Sequence, residues 1–377
     1  MNEEHVTPEA DVPLNVEVRE PEVEVTTGES TAPDVVEEST TEMETETEEP
    51  ESTVQEHSTI PALAQLGVAI VLLGIVFGTS YIPGFIRDRN APMSTVEERI
   101  RANENAEQAK VPIPEPTVGA ESAYVWDAAT QKALYNKNAS AQLPLASLTK
   151  LMTALVSREV LTGTGRVPMT LEAITQDGES GFLDGETFSE GALSDFALIS
   201  SSNDAAYALA AAAGSALLGS ESPNVRFVKA MNVRAEEIGL LQTHFTNPTG
   251  LDASVDESGA YGSARDMAFL MEYLIKKRPE VIESTRNVTA SLSATSVASV
   301  IHADNTNEIV GKIPGLIASK TGYTELAGGN LVIAFDAGVN HPIIVSVLGS
   351  TRDGRFEDVL KLVEYARETL VQNSSAN

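Results

Sequence analysis

Apolar and polar positions change rhythm several times along this chain, and each change predicts an element. The first 58 residues show almost no aliphatic or aromatic periodicity. From Ser58 to Ile86 no charged residue occurs, and the stretch LAQLGVAIVLLGIVFGTSYI is long enough to cross a bilayer as one helix. STVEERIRANENAEQAK (94–110) opens with a Ser94–Glu97 capping box and predicts a short polar helix. VPIPEPTVG (111–119) follows as a Pro-rich, stiff, extended linker. Beyond it, residues 121–139 read as two short strands around a turn. Ala- and Leu-rich helical stretches occupy 146–161, 192–218 and 226–238, and strand-like runs return at 330–338 and 342–350. The closing segment, RFEDVLKLVEYARETLVQ, repeats apolar residues at helical spacing through Val359, Leu362, Val363, Ala366 and Leu370. Strands at both ends with helices between them predict one sheet assembled from both termini, plus a helical lobe.

Charge sharpens this division. The 377 residues carry 25 Lys and Arg against 55 Asp and Glu. Residues 1–58 alone hold 17 Glu and 2 Asp against the single Arg19. That Thr-, Ser- and Glu-rich segment has too little apolar surface to offset chain entropy and reads as a disordered acidic tail. The expected organisation is therefore an acidic tail at 1–58, a transmembrane helix at 59–86, a stalk and linker at 87–119 and a globular body at 120–373. A signal peptide fits the uncharged run poorly, because it would begin near the N-terminus with a basic region. Arg87 and Arg89 just after the span would place the body in the cytoplasm by the positive-inside rule.

Composition excludes several chemistries. The net charge of −30 argues against nucleic-acid binding, which needs clustered Lys and Arg. Without cysteine there is no disulfide, thiol nucleophile or Cys-based zinc site. None of the five histidines is spaced as a metal pair, and no G-x-S-x-G occurs. Neither a metal nor another cofactor is implied.

Three short motifs remain. Ser147-Leu148-Thr149-Lys150 opens an apolar helix, where residues three apart share a face and a hydroxyl can meet an amine. A serine needs a base to become nucleophilic, and a lysine whose pKa is lowered by burial or a second cation can be that base. S-x-x-K arises about once by chance in a chain of this length, and its bland reading is a helix cap followed by a surface lysine. Ser201-Ser202-Asn203 lies between two apolar helical runs, where it could equally be a structural helix junction. Lys320-Thr321-Gly322, followed by Tyr323, stands just before the run NLVIAF; on a strand edge it could offer a cation, a hydroxyl and backbone N–H groups, or it could be a plain turn entering a strand.

Taken in order, with 54 residues from Ser147 to Ser201 and 119 more to Lys320, the three motifs form the set of the penicillin-recognising serine enzymes. The whole body resembles the low-molecular-mass penicillin-binding proteins that are serine D-Ala-D-Ala carboxypeptidases. LPLASLTKLMTALV, ISSSNDAAYALA, FTNPTGLD, SARDMAFL, NTN and SKTGYTELAGGNLV carry the likeness. It implies an α+β fold of the serine β-lactamase type: an antiparallel sheet flanked by helices, a helical lobe, and the active site between them. It further implies Ser147 as nucleophile, Lys150 as its base and Ser201 as a proton relay. Asn203 would hold the substrate backbone, Lys320 would keep the site electropositive, and Thr321 would bind the terminal carboxylate. Gly322 would also line the substrate site, and the N–H groups of Ser147 and Tyr323 would form the oxyanion hole.

The implied substrate is the peptidoglycan stem peptide, with β-lactams as covalent inhibitors, and that substrate would place the body outside the membrane, against the arginine cue. The sequence departs from the family in having Ala318-Ser319 before Lys320, and no arginine near Asn305. The C-terminal β-domain with an amphipathic anchor is not seen after 373, so the N-terminal span is expected to anchor the protein to the lipid bilayer. A class A β-lactamase would need E-x-x-L-N, and the one Leu-Asn pair, Leu14-Asn15, lies in the tail. A cross-link endopeptidase shares every motif, and a wall-binding scaffold would need none of them.

Overall fold

The computed structural model describes residues 113–162, 165–178 and 180–374. The expected tail, span and stalk lie outside them. Among the described residues no helix is long and apolar enough to cross a membrane.

The two strands expected at 121–139 are β1 (Ser122–Asp127) and β2 (Lys132–Lys137). After the short β3 (Leu143–Pro144), a 3-10 turn at Ala146–Thr149 leads into helix α1 (Lys150–Leu161). Strands β4 (Arg166–Pro168) and β5 (Thr187–Ser189) bracket a long connection. The apolar stretch at 192–218 forms two helices, α2 (Glu190–Ile199) and α3 (Asn203–Ala216), and α4 (Pro223–Ile238) follows. Strands β6 (His244–Phe245) and β7 (Ala260–Gly262) lead to α5 (Ala264–Lys277) and the single turn α6 (Pro279–Ile282). The hairpin β8 (Thr289–Ser293) and β9 (Val300–Asp304) precedes three nine-residue strands, β10 (Leu316–Thr324), β11 (Gly328–Asp336) and β12 (Pro342–Ser350). Helix α7 (Gly354–Ser374) ends the body.

The main sheet runs β10-β11-β12-β1-β2 and is antiparallel throughout, built from both ends of the body. Its middle strands are continuous apolar runs because both faces are covered. Leu331, Ile333 and Phe335 of β11, with Ile343, Val345 and Val347 of β12, pack under α7 against Val359, Leu362 and Ala366. Their alternates Val332, Ala334, Ile344 and Leu348 join the other core, with Leu151, Met152 and Leu155 of α1 and Met267, Leu270 and Met271 of α5. The period-2 alternation of side chains thus feeds two cores from one sheet. A third cluster, Phe182, Phe188 and Phe196 among them, supports the connection between β4 and β5. Strand β10 is an edge strand of this sheet and lies against the 3-10 turn at Ala146–Thr149.

The linker residues also take part. The carboxylate of Asp358 on α7 accepts hydrogen bonds from the N–H groups of Gly119 (2.8 Å) and Ala120 (2.9 Å). Lys137 donates to the carbonyls of Val118 and Ala120, and Tyr135 to that of Pro116.

Candidate active site

Ser147 lies in the 3-10 turn, not in the helix proper. In a 3-10 turn side chains at i and i+3 eclipse, so the Ser147 hydroxyl and the Lys150 amine are brought together by the local backbone. Lys150 Nζ stands 2.9 Å from Ser147 Oγ. The residue before the serine, Ala146, has φ of 49°, a left-handed conformation that costs an alanine energy and lifts the hydroxyl out of the core. Ser147 is half-buried, whereas Lys150 is only 1% exposed, so a surface lysine is excluded.

The S-x-N motif is the break between α2 and α3. Ser201 has φ of 61°, and the Ser202 hydroxyl caps α3 by accepting from the N–H of Ala205 (3.1 Å). The junction therefore has a structural role, and it also aims two side chains into the site. Asn203 Oδ1 is 2.6 Å from Lys150 Nζ, while its Nδ2 donates to the Asp177 carbonyl (2.6 Å). Ser201 Oγ is 2.9 Å from Lys320 Nζ.

K-T-G lies within the edge strand β10. Lys320 reaches across to Ser201 and also donates to the Thr321 carbonyl (2.9 Å). The Thr321 hydroxyl meets that of Thr306 at 2.6 Å. Gly322 explains itself by close approach: a Cβ there would lie 2.9 Å from the Leu145 carbonyl oxygen and 3.2 Å from the Ser147 nitrogen. Only glycine lets the strand lie against the Ser147 turn. Tyr323 is exposed, with the Arg352 guanidinium over its ring.

The structure thus gathers Ser147, Lys150 and Asn203 around one amine, and Ser201 and Lys320 around another. Burial of Lys150 lowers its pKa to about 7. Burial, then the charges of Lys150 and Arg355, hold Lys320 well below the usual lysine range. Among the described residues no carboxylate pairs ionically with Lys150, Lys320 or Arg355. Three basic side chains thus meet at one site in a chain of net charge −30. Such an arrangement can deprotonate a serine, stabilise an oxyanion and hold a carboxylate.

Two contributors escaped the sequence reading. The Thr249 carbonyl is the third partner of Lys150 Nζ, at 2.8 Å. Arg355 donates to the Gly322 carbonyl (2.7 Å), placing a cation behind K-T-G. A signal existed for the latter. Arg355 stands in the first turn of α7, where the helix dipole disfavours a cation, so something outside the helix had to hold it.

With this geometry in view, comparison with known proteins is decisive. The family model described as D-alanyl-D-alanine carboxypeptidase, peptidase S11, matches residues 106–352. The chain belongs to this family. It is 34% identical over 254 residues to the D-alanyl-D-alanine carboxypeptidase DacF of Bacillus subtilis, a match covering 66% of this chain and 62% of that protein. The chain thus spans less than two thirds of that relative's length. Penicillin-binding protein D2 of Listeria monocytogenes, solved in its ampicillin-bound form, matches at 30% identity and a TM-score of 0.54, over 67% of this chain and 99% of that one. A mutant of the Streptomyces K15 DD-transpeptidase matches at 26% identity and a TM-score of 0.59, over 67% and 98%. The fold of this S11 member is that of the penicillin-binding proteins, as the α+β expectation had it.

Proposed function

We propose that this S11 member is a serine D-Ala-D-Ala carboxypeptidase that removes the terminal D-alanine from peptidoglycan stem pentapeptides. The observation that carries the reading is a buried lysine, pKa near 7, placed 2.9 Å from a half-exposed serine hydroxyl. Lys150 takes the proton of Ser147 as Oγ attacks the penultimate D-alanine carbonyl. The N–H groups of Ser147 and Tyr323 bind the oxyanion, an effect worth about 3–4 kcal/mol when one donor is lost. The proton taken by Lys150 passes through Ser201, itself hydrogen-bonded to Lys320, to the departing amine of the terminal D-alanine, which leaves Lys150 neutral again. Water then cleaves the acyl ester, releasing the shortened peptide and returning the proton to Ser147. Lys320, Thr321 and, behind them, Arg355 favour the terminal carboxylate, while Asn203 holds the peptide backbone. A β-lactam presents a carbonyl and a carboxylate in the same relation, and ampicillin occupies the Listeria neighbour.

The reading extends to location. The uncharged run 59–86 is the bilayer anchor, the body stands outside the cell, and the acidic tail stays within. Because peptidoglycan lies outside the membrane, the substrate outweighs two arginines on one flank.

The test is D-alanine release from a muramyl pentapeptide by the full chain, with Ser147→Ala alongside. Release by the wild type alone, together with a penicillin adduct absent from Ser147→Ala, is the expected result. An adduct on Ser147→Ala would overturn the assignment of the nucleophile. Cleavage of cross-linked dimers in place of pentapeptide would move the reading to an endopeptidase.

A further inference from the structure

The turn that faces Lys150 is organised by one side chain. Asn247 Oδ1 accepts from the N–H of Thr249 (3.1 Å), the hydroxyl of Thr249 (3.1 Å) and the N–H of Gly250 (2.8 Å). Its Nδ2 donates to the Leu251 carbonyl at 2.9 Å. Gly250 has φ of 78°, and a Cβ there would run into the Ala146 carbonyl, so this turn lies directly on the turn of the nucleophile. The Pro248 carbonyl accepts from the Thr153 hydroxyl (2.6 Å), which ties the same turn to the helix carrying Lys150.

The product of these bonds is the Thr249 carbonyl, 2.8 Å from Lys150 Nζ. A neutral amine has two N–H bonds and one lone pair. Asn203 Oδ1 and the Thr249 carbonyl accept the two N–H bonds, and the third direction, 2.9 Å long, points at Ser147 Oγ. With either acceptor displaced, the amine can rotate and carry its lone pair away from the hydroxyl. Asn203 belongs to the S-x-N motif. The second acceptor is backbone, so no side chain at 249 supplies it; its place depends on Asn247.

We propose that Asn247 is a positioning residue for acylation: by fixing the Thr249 carbonyl it directs the lone pair of Lys150 toward Ser147. The inference rests on the reading of Lys150 as the base.

The experiment measures the rate of penicillin acylation against pH, at saturating and subsaturating penicillin, for the full chain and for Ser147→Ala, Asn247→Ala and Asn247→Asp, with melting curves for each. Asn247→Ala should acylate on the order of tenfold or more slowly, with the penicillin dissociation constant unchanged, because a misdirected base loses rate and not binding. The carbonyl favours the ammonium over the amine, since hydrogen bonds to charged groups are the stronger ones. Its loss therefore moves the acid limb of the profile to lower pH. Asn247→Asp keeps the accepting oxygen and should recover most of the rate. Its added negative charge moves the acid limb the other way. Lys320 on β10, with Arg355 of α7 behind it, also faces Lys150, and both are common to every variant.

Wild-type acylation rates in Asn247→Ala would overturn the proposal. So would slowing with an unmoved acid limb and no recovery in Asn247→Asp, the pattern of mere structural damage. A folded wild type that takes no penicillin would sink the serine reading itself, an outcome separate from either.

Discussion

Lys150 and Lys320 are each 1% exposed and have no ionic partner among the described residues, so the folded body works against its own stability at this site. The sign of the effect can be worked out. Burial lowers the pKa of Lys150 to about 7 in the folded state, while the unfolded chain keeps an ordinary lysine near 10.4. Between those values the unfolded chain binds one proton more, so stability rises with pH, by up to about 1.4 kcal/mol per pH unit for one such group. That stability is fully present above the unfolded pKa and is lost as pH falls through 7. Lys320 adds to the same slope. Thermal melts of Lys150→Met should therefore show a weaker rise from pH 7.5 to 9.5 than the wild type, with penicillin labelling abolished. A large drop in melting temperature at every pH would instead mark Lys150 as a structural residue.

Elements show how much of this protein its sequence makes legible. Strands β11 and β12 and helix α7 follow from their apolar spacing, because both faces of the sheet are buried and little else competes. The stretch 192–218 forms two helices, and the break falls at Ser201-Ser202-Asn203, where the sequence sets polar residues between two apolar runs. The left-handed Ser201 and the cap at Ser202 make that junction, and hydrophobic spacing alone does not register them. Strand β10 is the sheet edge expected to bear Lys320, but its length is not legible. Its Lys320, Thr321 and Gly322 are chosen for the site and not for the pleat, so the segment reads equally well as a turn before β11. Tertiary contacts such as Thr249 with Lys150 and Arg355 with Gly322 join positions 99 and 33 residues apart, beyond any local signal. The junction makes a prediction of its own. Ser202→Ala removes the cap of α3 and the contact with the Ser180 hydroxyl, and should cost about 1 kcal/mol by urea denaturation. Because Asn203 follows the cap directly, penicillin labelling should slow as well. An unchanged denaturation midpoint would show that the cap contributes nothing to holding the motif.

At the scale of the whole chain, the sheet order separates entry from chemistry. The site lies at the β10 edge, and the linker residues 116–120 are held by Tyr135 and Lys137 of β2, at the other edge, and by Asp358 of α7. Four strand spacings, roughly 19 Å, lie between those edges, so residues 116–120 meet the body well away from Lys320 and Ser147. Removing residues 1–110 should then detach the protein from membranes and leave penicillin labelling unchanged. Removing ten more should not be neutral. The buried carboxylate of Asp358 would lose both N–H partners, and Lys137 both carbonyls. Asp358 would keep only the Ser350 hydroxyl, and a loss of about 1–3 kcal/mol is expected, which melting curves of the two truncations would resolve. Orientation is decided on the same protein in intact cells. An impermeant fluorescent β-lactam should label it without permeabilisation, and external protease should remove the body while sparing the acidic tail. Labelling only after permeabilisation would mean that Arg87 and Arg89 govern the topology, and that the body never meets the wall.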